Sequence, residues 1–162
     1  MSVGDIAYCW GRNDHVQVGD GTTAQRSVPT RPLGWAHFST ISTGDEFTCG
    51  VTTTNAVTPP RRAYCWGADH GWLGSPSSGA NFQVTPRLVS GGRAFRSVDA
   101  GTYRSCGVTV GNLAFCWGLG VVDGTPVTSP LPMRVGGDLR FRQLEAGGSF
   151  ACGVTTAGKI YC

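Results

Sequence analysis

The word Cys-Trp-Gly occurs three times, at Cys9-Trp10-Gly11, Cys65-Trp66-Gly67 and Cys116-Trp117-Gly118, at intervals of 56 and 51 residues. A period near ~50 residues restricts the fold to units that stack on one another, a solenoid or a propeller, because one such unit cannot bury its apolar face alone. A second word keeps the same register. It reads Phe38-x-x-Ile41-x-x-Gly44 and then Cys49-Gly50-Val51-Thr52. It returns as Phe95-x-x-Val98-x-x-Gly101 with Cys106-Gly107-Val108-Thr109, and as Phe141-x-x-Leu144-x-x-Gly147 with Cys152-Gly153-Val154-Thr155. In every copy the Phe precedes the Cys by 11 residues. Before each Phe a segment runs from Pro to Gly: Pro32-Leu33-Gly34, Pro86 to Gly91-Gly92, and Pro132 to Gly136-Gly137. These segments read as turns that feed the first strand of a unit.

The composition decides between helices and strands. The chain has 25 Gly and 9 Pro, and Val, Thr, Phe and Tyr crowd the segments between them. Such a sequence favours short strands joined by tight turns over long helices. With 40% hydrophobic residues and a net charge of +3 it is not the composition of a disordered chain. The expected fold is all-β, an arc of about three blades. The expected organisation is a single, incomplete repeat domain over 1–162, with repeats near 9–64, 65–115 and 116–162 and with 3–8 as the remnant of a preceding repeat.

Within one repeat, the Phe, the aliphatic residue three further on and the later Val supply the core. Gly44, Gly101 and Gly147 are expected in a backbone conformation closed to residues with a Cβ. After each Gly the strand turns into a hairpin. Cys106 and Cys116 are ten residues apart, as are Cys152 and Cys162, which implies three-residue loops at Val110-Gly111-Asn112 and Thr156-Ala157-Gly158. Counting outward from those loops sets the two Cys opposite each other at a non-hydrogen-bonded pair, where Cα atoms are ~4.5 Å apart. That spacing lies at the short end of disulfide geometry. Cys49 and Cys65 are 16 apart, with the extra residues at Asn55 to Arg62. The couples are therefore Cys49 with Cys65, Cys106 with Cys116 and Cys152 with Cys162, and Cys9 is left unpaired. Three states remain open for them: disulfides, which are favoured, reduced thiols, and a metal site. No Cys-x-x-Cys knuckle occurs, which disfavours zinc. Disulfides would imply an extracellular or cell-envelope setting, although Met1 to Asp5 lack the basic start and apolar stretch of a secretion signal.

The charge excludes little but directs the reading. Arg61-Arg62 is the densest basic pair, and no long basic stripe marks a nucleic-acid surface. No apolar run approaches the ~20 residues of a membrane helix. No nucleophile, base and orienter can be read as a set, and no P-loop word is present, so neither catalysis nor a cofactor is expected. His15 and His70 occupy similar places in the loops after Trp-Gly and are candidate binding residues on one face of the arc, while repeated loop positions account for the pair without catalysis. Trp10, Trp66 and Trp117 recur in register and read as structural. Trp35 and Trp72 do not recur, and Trp72, in a loop, is the best single candidate for a partner contact, with burial against the next blade as its alternative. The segments Asn13–Gly21, Asn55–Arg62, Asp69–Asn81 and Val121–Thr128 vary while the frame repeats, as expected of a frame that holds loops for recognition. Both ends of the chain cut the repeat, so it reads as a piece of a longer protein. Its open sheet edges, Val3–Cys9 and Lys159–Cys162, invite self-association.

The words quoted above, with the loop Trp10-Gly11-Arg12-Asn13-Asp14-His15-Val16-Gln17-Val18-Gly19-Asp20-Gly21-Thr22, resemble bacterial members of the regulator of chromosome condensation (RCC1-like) repeat family. The departures are a shortened second loop, Asp69 to Gly74, a third cut further, Leu119 to Thr125, and Phe47, Arg104 and Phe150 where the family often has His. The resemblance implies a seven-bladed β-propeller of four-stranded blades. It leads to the expectation of a non-catalytic module that binds an unidentified protein through loops on its faces. The resemblance also offers two other functions: nucleotide exchange on a small GTPase, as in family members of nucleated cells, and inhibition of a secreted enzyme.

Overall fold

Each Phe-x-x-aliphatic-x-x-Gly word becomes a strand, each Cys-Gly-Val-Thr word the strand beside it, and each Cys-Trp-Gly word the third. The computed structural model describes residues 6–34, 37–53, 61–77, 79–122 and 125–162, and the backbone alone at 121, 122 and 125–127. Trp35, the hairpin tip at Asn55–Pro60, the edge residues Val3–Asp5 and Asp123-Gly124 of the fourth variable segment lie outside the described residues.

Thirteen strands form four antiparallel sheets among the described residues. The first sheet pairs β1 (Cys9–Gly11) with β2 (Arg26–Thr30). The second is a meander of β3 (Phe38–Thr43), β4 (Phe47–Thr52), β5 (Ala63–Ala68) and β6 (Phe82–Leu88). The third repeats that order with β7 (Phe95–Ala100), β8 (Arg104–Thr109), β9 (Ala114–Val122) and β10 (Thr125–Val135). The fourth has β11 (Phe141–Ala146), β12 (Ala151–Thr155) and β13 (Ile160–Tyr161). The architecture is all-β, an unclosed propeller-like arc of ~50-residue repeats. The Cys-Trp-Gly period enters each full sheet at its third strand, so the period is the blade's and its phase is not.

The register shows why the cysteines meet. Cys49 lies opposite Cys65 and Cys106 opposite Cys116, each couple disulfide-bonded with Cα atoms 4.1 Å apart. Cys152 and Cys162 are joined likewise, also at 4.1 Å. Asn112 and Gly158 take the left-handed conformation that their three-residue turns need, at φ 62° and 80°. Cys9 is buried and free.

The core lies between sheets. Phe47, Val51 and Leu73 meet Phe95, Val98 and Trp117 between the second and third sheets. Val108 and Cys106 meet Phe141 and Leu144 between the third and fourth. Val18 and Cys9 meet Phe38 and Trp66 between the first and second. Each junction has a buried aromatic anchor: Trp66 between the first and second sheets, Phe47 and Phe95 between the second and third, and Phe141 between the third and fourth.

Three readings change. Gly44, Gly101 and Gly147 are absent from the positive-φ residues. Their glycine is required because the innermost strands approach one another: a Cβ on Gly44 would collide with the Gly101 carbonyl, and one on Gly101 with the Gly147 carbonyl. Pro86 and Pro132 are not in turns but in β6 and β10, the outermost strands, where a missing N–H costs no ladder bond. The third loop is no short turn. β9 and β10 continue past the sheet as a hairpin, pairing Leu119 with Thr128 and Val122 with Thr125.

Candidate functional site

The strand directions divide the loops between two ends of the arc. Among the described residues one end, here the loop face, carries residues 12–25, the turn 44–46, residues 69–77 and 79–81, the turn 101–103, the far ends of β9 and β10 and the turn 147–150. Its long loops are built from within. The buried Asn13 side chain donates to the carbonyls of Thr22 (2.8 Å) and Ala24 (3.1 Å) and to Asp20 Oδ1 (3.1 Å), and accepts from the Val18 N–H (2.9 Å). Burial alone would raise the Asp20 carboxyl, but hydrogen bonds from Arg26, Thr22 and Asn13 outweigh it and hold the group below the usual carboxylate range.

Each loop is then bolted to the next sheet by one carbonyl. The Gln17 carbonyl accepts from Thr48 Oγ1 (2.8 Å) and from Trp66 Nε1 (3.0 Å). In the second loop Asp69-His70-Gly71-Trp72-Leu73-Gly74 matches Asp14 to Gly19, and at the place of Gln17 the Trp72 carbonyl accepts from Ser105 Oγ (3.0 Å). Val18 and Leu73 follow as buried plugs, and Gly19 and Gly74 lie flat against Trp66 and Trp117. A side chain at either Gly would strike the indole. The backbone at Gln17 and Trp72 therefore holds the loop, and the side chain at that position is left for other work.

The Trp72 ring sits between sheets, half-buried, 5.9 Å from Phe47 and 5.4 Å from Tyr103, with His70 tilted against it at 4.8 Å. Both expectations for Trp72 meet here, since it packs on the neighbouring blade and still shows an edge. Tyr103 is 45% exposed and Phe150, in the next turn, 61%. Sequence reasoning missed both. Tyr103 stands one residue before Arg104 and carries no repeat signal, while Phe150 occupies the position of the fully buried Phe47. His15 is on the first loop, 3.5 Å from Asp14 and 3.7 Å from Glu46, with its ring 5.7 Å from Phe82. Arg12 pairs with Asp14 and depresses its carboxyl. His15 and His70 hold equivalent loop positions, and no contact joins them. Arg104, the third occupant of the Phe47 position, is buried and donates to the Ser149 carbonyl (3.2 Å); desolvation lowers its pKa. The face thus has an acidic side, Asp14, Asp45 and Glu46, and an aromatic centre, His70, Trp72 and Tyr103. No group of three or more His, Cys, Asp or Glu that could hold a metal occurs among the described residues. Two cavities, of about 420 and 360 Å³, lie beside Phe141 and Phe150 and beside Cys9 and Ile41, at sheets of fewer than four strands rather than at this aromatic centre.

Residues 5–51 match the sequence profile of the Regulator of chromosome condensation (RCC1) repeat. Over 94% of the chain the fold superposes on human WBSCR16 with a TM-score of 0.79 at 18% identity. Over 90% it superposes on Prp20p of Saccharomyces cerevisiae with a TM-score of 0.75 at 19% identity. Residues 5–51 thus carry an RCC1-type repeat, and the chain as a whole has the fold of these structures. A third match, TM-score 0.74 at 18% identity over 97% of the chain, is yeast RCC1 (Prp20) bound to Kap60. The chain spans about two fifths of the structures it matches, 41%, 38% and 39% of their lengths.

These relatives correct three expectations. Prp20p is described with its binding to Gsp1p and histones, and yeast RCC1 (Prp20) as bound by Kap60. Defined partners on this fold overturn the expectation of an unidentified partner, and with it self-association as the use of the sheet edges. The strict exclusion of enzymatic action also falls. It rested on the absence of a nucleophile and base, whereas exchange on a GTPase needs a face that binds one state better than another. Finally, an extracellular or cell-envelope setting does not follow from this fold and its cysteines, because Prp20p, of the same fold, is described with its binding to Gsp1p and histones.

Proposed function

We propose that this RCC1-like domain recognises a protein through its loop face and that the partner is a small GTPase whose nucleotide release it accelerates. The observation that carries the reading is the pair of carbonyl bolts at Gln17 and Trp72, which fix the loops on the frame and leave Trp72, His70 and Tyr103 displayed at its centre. Rigid aromatic side chains on a fixed scaffold are the usual carriers of binding energy. Prp20p, of the same fold, binds Gsp1p. The share of the matched structures that the chain spans also fits three blades of a seven-bladed ring, with 1–162 as one repeat domain.

The test is release of a fluorescent GDP analogue from a loaded small GTPase, with the full chain present at micromolar concentration. Accelerated release is expected, with the Trp72→Ala, Tyr103→Ala double variant slower by about tenfold or more, since hot-spot aromatics carry at least ~2 kcal/mol. Release at the intrinsic rate with saturating domain overturns the exchange reading.

A further inference from the structure

The charges of the chain are sorted between the two ends of the arc. Asp14, Asp20, Asp45, Glu46 and Asp69 lie on or beside the loop face. Among the described residues the opposite end is formed by 31–34, 37, 53, 61–62, 89–94, 110–113, 136–140 and 156–159. There Arg61, Arg62, Arg93, Arg96, Arg140, Arg142 and Lys159 follow one another from sheet to sheet, and Asp138 is the one carboxylate among the described residues of these loops. The segments touch in sequence. The Arg61 carbonyl accepts from the Phe95 N–H (2.7 Å), the Asn112 carbonyl from the Phe141 N–H (2.8 Å), and the Arg140 carbonyl from the Thr156 N–H (2.8 Å).

Among the described residues none of those seven cations is in an ion pair; Asp138 faces Arg134 instead, at 3.7 Å. The guanidiniums are held by neutral groups. Arg62 donates to the Gly92 carbonyl. Arg96 Nη2 donates to the carbonyls of Phe141 (3.1 Å) and Arg142 (3.0 Å), and Arg140 Nη1 to that of Asp138 (3.2 Å). Arg93 stacks over the Phe115 ring at 4.2 Å. A carbonyl or a ring orients the guanidinium fork without neutralising it, and leaves its remaining N–H groups free to donate.

We propose that this end is a second interaction surface, which takes a carboxylate-rich segment of a partner protein. Pre-oriented guanidiniums match carboxylates in pairs. Single-stranded nucleic acid would call for stacking platforms, and the described loops of this end carry no exposed aromatic ring, Tyr103 and Phe150 being at the other end. The surface is independent of the loop face, so the fate of the exchange reading does not touch it.

The experiment measures binding of a fluorescent decaglutamate peptide to the full chain by anisotropy, beside a short DNA duplex and phosphatidylserine vesicles. The peptide is expected to bind more tightly than either. Its affinity should fall as ionic strength rises from about 0.01 to about 0.15 M, where the screening length shortens from about 30 to about 8 Å. The Arg61→Glu, Arg140→Glu, Lys159→Glu variant should lose about tenfold or more in affinity, since each reversal turns an attraction into a repulsion. A variant with Lys at Arg61 and Arg140 should keep most of it. Unchanged circular dichroism and disulfide content establish that the reversed variant is folded. No peptide binding by the wild type, equal binding by the reversed variant, or tighter binding of the duplex or vesicles overturns the proposal.

Discussion

A methyl group on Gly101 would collide with the carbonyl oxygen of Gly147 on the neighbouring sheet. Gly101→Ala must push two innermost strands apart, and overpacking of this kind costs about 1–3 kcal/mol. Urea unfolding should show the loss, and a variant as stable as wild type would mean that the blades have slack. The need for glycine at this position was plain from the repeat, but its cause was not. A left-handed turn is a local event that sequence can suggest, whereas a carbonyl supplied from 46 residues away is visible only once the strands are side by side. Cys9 is a second case where the neighbourhood decides the chemistry. Burial pushes its thiol up to about 11, so it stays protonated near pH 8 and holds little of the reactive thiolate. In the native chain iodoacetamide should modify Cys9 far more slowly than free cysteine at that pH, and unfolding under non-reducing conditions should restore the rate.

The strands were legible because each word carries its own period, turn residues and core positions. The loops were legible only in part. Asp69 to Gly74 looked merely shortened, yet it reproduces the first loop from Asp14 to Gly19, down to the buried plug and the carbonyl bolt. What hid this was the exchange of Gln17 for Trp72, because the conserved bond comes from the backbone and leaves no mark on the side chain. The third loop failed differently, since the extension of β9 and β10 beyond their sheet depends on two strands pairing. The first loop also carries a pH dependence. The Asp20 carboxyl, lowered in the fold, accepts from Thr22, Asn13 and Arg26. A carboxyl with a depressed folded value gives stability that is full above its unfolded value, near 4, and is lost as pH falls through the folded value. Amide exchange at Val18 and Thr22 should therefore quicken relative to the sheets as pH drops below about 4. Replacing Asp20 with Asn should flatten that difference.

At the scale of the molecule the sheets are tied by few groups, and one of them spans three sheets. Ser42 Oγ on β3 donates to Asp99 Oδ1 on β7 (2.7 Å) while accepting from the Ala100 N–H (3.0 Å). Asp99 Oδ2 accepts from the Ala146 N–H on β11 (2.5 Å). In a stacked array the stability of one unit depends on its interface with the next. The fourth sheet has three strands, the last of them two residues long, and touches the rest through β7 and β8. Asp99→Ala leaves the Ala146 N–H without its acceptor in a part-buried place, at a cost of about 1–3 kcal/mol. That loss falls on the junction and not on the meander of β3 to β6, which keeps its own ladder and its Cys49–Cys65 bond. Hydrogen exchange read by mass spectrometry should then show β11 to β13 opening ahead of β3 to β6, with the two closer together in the wild type. Uniform loss of protection across all four sheets would mean that the arc unfolds as one unit and that Asp99 is not a hinge between parts of unequal stability.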